Sequence, residues 1–173
     1  MEALRPMDPD IAQHIPRLRR YARALVGDRY RADDLVQDTL ERACRKFHLW
    51  RQGSDLRAWL FAVMHNVFVN QVRARRIEVE EFEDAAALPT QMERIDLLDI
   101  EKALARLPVE QREVILLVGI EQMGYGEVAK ALDVPIGTVM SRLSRARERL
   151  RALLSGEPDA AHGANGANLK VVK

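Results

Sequence analysis

Apolar residues recur at steps of three and four along most of this chain, so it reads as a succession of amphipathic helices. Ile11, Ile15, Leu18, Ala22 and Leu25 make the first stripe, within Asp10 to Val26. Pro16 interrupts it and fits the first turn of a helix, where its missing N–H leaves no hydrogen bond unmade. Gly27 suits the C-cap. Leu35, Val36, Leu40, Ala43 and Phe47 mark a second helix, Arg31 to Phe47. His48 to Leu56 breaks the pattern, and Ser54 or Asp55 can cap the helix that follows. That helix, Leu56 to about Arg76, is apolar nearly all round at its start and is expected at the centre of a core. Trp59 falls inside its apolar pattern and reads as core. Trp50 flanks a polar loop, where packing and base stacking both remain open.

Composition then shifts. Ile77 to about Thr90 carries Glu78, Glu80, Glu81, Glu83 and Asp84, followed by alanines and Pro89, as a linker or weak helix would. A second helical set starts near Met92 with Ile95, Leu98, Ala103 and Leu107, and ends at Pro108. Glu110 to Ile120 is another helix, with Val114, Ile115, Leu117 and Val118 as its buried face. Two shorter patterns close the set. Gly126 to Leu132 has Val128, Ala129 and Leu132 at helical spacing, and Val139, Leu143, Ala146, Leu150 and Leu153 form a stripe on the last helix. Asp133 to Gly137 separates them as a turn, and Thr138 reads as the N-cap of the second. Two helices joined by so short a turn make a helix-turn-helix. After Leu154 the small polar residues cannot bury a core, so 155–173 is expected as a disordered tail. The fold class is all-α, with two small helical domains (10–76 and 92–154) joined by a flexible acidic linker (77–91).

Charge changes the picture locally more than globally. The net charge is only +1, so any binding to a polyanion must come from segregated patches. The last helix holds Arg142, Arg145, Arg147, Arg149 and Arg151 against one acid, Glu148. Arg142, Arg145 and Arg149 share a face beside the apolar stripe, with Ser141 and Ser144 near its start. A helix that enters the major groove needs this layout, because arginines pair with guanine edges or phosphates. A solvated basic end, favoured by the helix dipole, is the alternative. Asp33, Asp34, Gln37, Asp38 and Glu41 crowd the first half of the second helix, and Arg42, Arg45 and Lys46 its second half. Dipole complementarity and a docking face for a basic partner both fit. Trp50 and the basic end at Arg73, Arg75 and Arg76 suit a site that stacks and holds unpaired bases.

The 173 residues, 47% hydrophobic and 31% charged, describe a soluble globular chain. One cysteine, Cys44, excludes an intrachain disulfide and fits a reducing cytosol. No apolar run reaches the eighteen or so residues a membrane span needs, and the first residues lack the pattern of a secretory leader. Cys44 and His48 lie four apart, but two ligands are too few for a structural metal site. Cys44 is expected within a packed helix, and His14, His65 and His162 read as isolated. No nucleophile elbow or phosphate-binding glycine loop occurs, so neither an enzyme nor a cofactor is indicated.

Four motifs carry a resemblance: DDLVQDTLERA at 33–43, DLRAWLFAVMHN at 55–66, LPVEQREVILL at 107–117 and PIGTVMSRLSRARERL at 135–150. In this order they resemble a bacterial RNA polymerase sigma factor of the extracytoplasmic-function type, over roughly residues 10–154. The resemblance implies a cytoplasmic factor that binds core RNA polymerase at its clamp helices and flap, and directs promoter-specific initiation. It implies a stress or envelope regulon under an anti-sigma factor. Asp33, Asp34, Gln37, Asp38 and Glu41 would meet the polymerase. Trp50, Arg51, Gly53, Ser54, Asp55, Arg57, Asn66, Arg73 and Arg76 would meet the −10 element, with Trp50 to Leu56 capturing a flipped base. Thr138, Ser141, Arg142, Ser144, Arg145 and Arg149 would meet the −35 element. Two positions depart from the family pattern: Asp133 stands where glycine is usual in the turn, and Met140 where many members carry Lys or Arg. The competing reading is a stand-alone helix-turn-helix regulator, which would bind a palindrome as a symmetric dimer.

Overall fold

The computed structural model describes residues 9–51, 53–81 and 97–155, with side chains over 11–51, 53–75 and 99–155. The described residues form eight α-helices and no strand: α1 Pro9–Ala12, α2 Ile15–Val26, α3 Arg29–Lys46, α4 Leu56–Glu81, α5 Leu97–Ala105, α6 Val109–Gly119, α7 Tyr125–Leu132 and α8 Ile136–Ser155. A single 3-10 turn, Phe47–Leu49, follows α3.

Local chemistry sets most of the boundaries. Pro16 sits in the first turn of α2. Gly27 ends α2 with φ 76°, and its N–H donates to the Arg23 carbonyl. Asp28 caps α3 by accepting from the Arg31 N–H at 2.9 Å, so α3 starts two residues earlier than its apolar stripe suggests. Asp55, not Ser54, caps α4, accepting from the N–H groups of Arg57 (2.9 Å) and Ala58 (3.2 Å). Ser54 instead closes the turn before it, its Oγ donating to the Arg51 carbonyl at 2.7 Å. α4 continues to Glu81, five residues past the expected end at Arg76. The acids at its C-terminal end therefore begin inside a helix. Residues 82–96 and 156–173, with most of the expected linker and tail, lie outside the described residues, as do the side chains of Arg76 and Leu98.

α4 is central, as its all-round apolar start requires. Leu60 and Met64 are fully buried, and Phe61, Val63, Val67 and Phe68 nearly so. α3 packs on α4 from one side and α7 from another. Tyr21 of α2 meets Phe61 edge-on, with ring centroids 5.1 Å apart. In the second half α6 and α7 pack against α8, burying Val114, Leu117, Val128, Val139, Leu143 and Ala146. The two halves pack on each other. α2 also packs on α5 and α6, and the buried residues of both halves form one contiguous core.

The helix-turn-helix is tighter than the sequence suggests. Thr138 is not the N-cap of α8, contrary to expectation. The helix starts at Ile136, and the Pro135 carbonyl accepts from the N–H of Thr138 (2.9 Å) and of Val139 (3.2 Å). Gly137 thus lies inside the helix, and the turn shrinks to Asp133, Val134 and Pro135. Asp133 ends α7 in the left-handed region, with φ 53° and ψ 50°. A side chain there is crowded against the backbone by about 1–2 kcal/mol, a cost that Asp bears better than most residues. Asp133→Gly is expected to raise stability by up to about 1 kcal/mol, and Asp133→Val to lower it by about 1–2 kcal/mol, in urea unfolding followed by circular dichroism.

Candidate nucleic-acid interface

α8 presents its first three turns outward while its stripe of Val139, Leu143 and Ala146 anchors it. Ser141, Ser144 and Arg145 are exposed, whereas Thr138, Arg142 and Arg149 are half-buried. Ser141 Oγ donates to the Thr138 carbonyl at 3.0 Å. Sequence reasoning missed the apolar tip. Ile136 and Met140 are 52% and 53% exposed at the N-terminal end of the helix. Beside them Tyr125, Met140, Leu143, Ser144, Arg147, Glu148 and Arg151 line an open groove of about 410 Å³.

The loop before α4 is a shaped turn. Gly53 has φ 90°, a conformation few residues other than glycine adopt, and Arg51, Gly53, Ser54 and Asp55 are exposed. Trp50 is partly buried, and its ring stacks on Phe47, with centroids 5.4 Å apart and planes 20° apart. Phe47 also meets Trp59 edge-on at 6.4 Å, so both tryptophans pack onto the core. One face of Trp50 is therefore already taken. Asn66 is exposed and donates to the Ala62 carbonyl at 2.9 Å. Arg73 is exposed and Arg75 half-buried. Arg57 is committed elsewhere: one guanidinium N–H donates to the Glu121 carbonyl at 3.0 Å, and another reaches Asp55 at 3.3 Å. Burial alone would raise the Asp55 pKa. The N–H of Ala58, the charge of Arg57 and the Arg57 hydrogen bonds outweigh it and hold the carboxyl below its usual value.

Asp33, Asp34, Gln37, Asp38 and Glu41 are all exposed on α3. Asp38 accepts from the Gln71 side chain at 2.7 Å, which ties this acidic face to α4, and Glu41 lies 3.6 Å from Arg45. Cys44, expected within packing, is exposed. Among the described residues no three metal-ligating side chains cluster, and no helix is long and apolar enough to cross a membrane.

Two acids that sequence reasoning passed over are buried where the halves meet. His65 is not isolated: its Nδ1 lies 2.7 Å from Glu113 Oε1, with the side chains 18% and 4% exposed. Glu121, fully buried, holds Arg20 at 2.9 Å. The signal was available. His65 lies between Phe61 and Phe68, and Glu113 precedes Leu116 and Leu117, all at helical spacing, so both polar residues occupy apolar stripes. Tyr21 lies near both acids. Burial first, then their charges, push its pKa well above the usual phenol value.

Among the described residues the chain is all-helical, with a basic helix-turn-helix and an exposed acidic face on α3. Residues 11–65 match the family described as the Sigma2 domain of PhyR, and residues 97–150 match Sigma-70, region 4. The ECF RNA polymerase sigma factor EcfG of Rhodopseudomonas palustris is 40% identical over 150 residues, covering 84% of this chain and 83% of its own. The sigma factor RpoE of Bartonella quintana, solved in complex with the anti-sigma factor NepR, superposes with a TM-score of 0.75 at 40% identity, over 86% of this chain and 96% of its own. CnrH, solved with the cytosolic domain of CnrY, superposes with a TM-score of 0.63 at 28% identity, over 86% of each chain. The chain belongs to the ECF RNA polymerase sigma factors.

The lowered Asp55 pKa gives a signed expectation. A depressed carboxyl stabilises the fold above its unfolded pKa, near 3.8, and that contribution is lost as pH falls through the folded value. Asp55→Ala should cost about 0.5–2 kcal/mol at pH 7, as loss of a cap does. The difference from the native chain should shrink below about pH 4 in urea titrations run across pH.

Proposed function

We propose that this chain binds core RNA polymerase through the acidic face of α3, reads a promoter in two places and helps to open it, without covalent chemistry of its own. The observation that carries the reading is the segregation of opposite charge onto two exposed helix faces. Asp33, Asp34, Gln37, Asp38 and Glu41 face outward on α3, and Ser141, Ser144 and Arg145 face outward on α8. The first surface suits the basic clamp helices of the polymerase largest subunit, and the helix-turn-helix half suits its flap. The second surface suits the −35 element.

Arg145 is the principal reader, because it alone of Arg142, Arg145 and Arg149 is well exposed. Ile136 and Met140 add apolar contacts of the kind that distinguish a thymine methyl. Thr138 sits in the first turn, where backbone N–H groups meet phosphate. At the −10 element the turn Arg51–Asp55 receives an extruded base, with Trp50 and Asn66 contributing. Holding an extruded base offsets an unpairing cost of a few kcal/mol and so favours melting. Arg57, Arg73 and Arg76 hold phosphates. The binding of RpoE to the anti-sigma factor NepR supports control of this chain by an anti-sigma factor. We assign it to the cytoplasm, where such a factor would meet core polymerase.

Two variants test the two surfaces separately. Arg145→Ala should lower transcription from a cognate promoter by about fivefold or more, in line with about 1–3 kcal/mol for a base-reading arginine, with polymerase binding unchanged. Asp34→Arg combined with Asp38→Arg should abolish binding to immobilised core polymerase. Equal polymerase binding by the native and doubly reversed chains would rule out the α3 assignment.

A further inference from the structure

We propose that Met140 is a reader of pyrimidine C5-methyl groups, so that this chain responds to that methyl on thymine and on methylated cytosine alike. The assignment rests on α8 as the −35 helix, and it adds a ligand chemistry to that helix. Ile136, Met140 and Tyr125 are 52%, 53% and 37% exposed. A single exposed apolar residue is ordinary. Here Ile136 and Met140 stand one helical turn apart on the leading edge of α8, and Tyr125, which opens α7, lines the same groove as Met140. The apolar surface is therefore gathered where a recognition helix enters DNA.

The rest of the groove says what fits against it. Arg147 and Arg151 face one acid, Glu148, so the groove carries a net positive charge. An apolar protein surface seated there would have to cover both exposed arginines, and taking a cation out of water is costly unless a partner compensates. A phosphate backbone supplies that partner. Ser144 lines the groove and also belongs to the exposed reading face with Ser141 and Arg145, so the two surfaces are continuous. The major-groove edge of a base pair is polar throughout except at one place, the C5-methyl of thymine.

The thioether of Met140 is unbranched and polarizable, so it can follow a methyl group that a stiffer side chain would miss. Covering one methyl contributes about fourfold in affinity. Cytosine carries only hydrogen at C5, and its methylated form presents the thymine methyl in the same place. Met140 thus favours thymine over cytosine at its position, and methylation of a cytosine there strengthens binding instead of blocking it. The serines and arginines of α8, which read polar groups, gain nothing from that methyl.

The test uses core polymerase loaded with the full chain, on promoters that it selects from a random library. Each thymine of the −35 element is replaced in turn by deoxyuridine, which keeps every hydrogen-bonding group and lacks only the methyl. One such replacement should weaken binding by the native chain about fourfold, and cytosine at that position should bind about fourfold better once methylated at C5. Met140→Ala should remove both effects and leave affinity for core polymerase unchanged. Native binding that is indifferent to every deoxyuridine would overturn the proposal, and so would methyl sensitivity that survives Met140→Ala. Weaker binding of Met140→Ala to core polymerase, with its methyl sensitivity intact, would give the groove to a protein and overturn it too. Arg145→Ala separates this outcome from the −35 assignment beneath it. If that variant still lowers transcription while no methyl matters, the −35 helix stands and the methyl reader falls; if no upstream motif is selected at all, both fall.

Discussion

A helix that is apolar on most of its faces must be covered on those faces, and α4 is such a helix over Leu56 to Phe68. Leu60 and Met64 are fully buried, and Leu56, Phe61, Val63, Val67 and Phe68 are each at most 8% exposed. Each fully buried side chain of this size contributes about 1.5–3 kcal/mol, and removing one to alanine would cost about 2–5 kcal/mol. α3 covers one side of the helix and α7 another. The rest of the architecture follows. α3 is fixed so that its acids point outward, and the helix-turn-helix half packs onto the first half.

The helix-turn-helix half partly covers the same helix. The junction between the halves is polar as well as apolar. There Glu121 meets Arg20, Glu113 meets His65, and Arg57 donates to the Glu121 backbone carbonyl. Tyr21, buried near both acids, adds packing to that junction.

The individual helices were legible in the sequence because each one satisfies its own periodicity. Gly27 and Asp133 mark their ends by backbone conformation, and the stripe from Val139 to Leu153 fixes the buried side of α8. The errors came from the ends and from tertiary contacts. Thr138 has the chemistry of an N-cap, but the Pro135 carbonyl starts the helix two residues earlier. Asp28 caps α3 ahead of any apolar residue, so periodicity alone could not place it. The junction was illegible as geometry, since nothing local says which half a buried acid will face. It was partly legible as anomaly, because His65 and Glu113 occupy stripe positions that apolar residues normally hold. At the candidate interface, charge pattern found Arg145, but only burial separates it from Arg142 and Arg149.

The most direct measurement of promoter-directed initiation is run-off transcription by core polymerase on a library of random promoters, with and without this chain. Transcripts should enrich a two-part motif with fixed spacing only when the chain is present. No enrichment with polymerase, together with a palindrome selected by the chain alone, would contradict it.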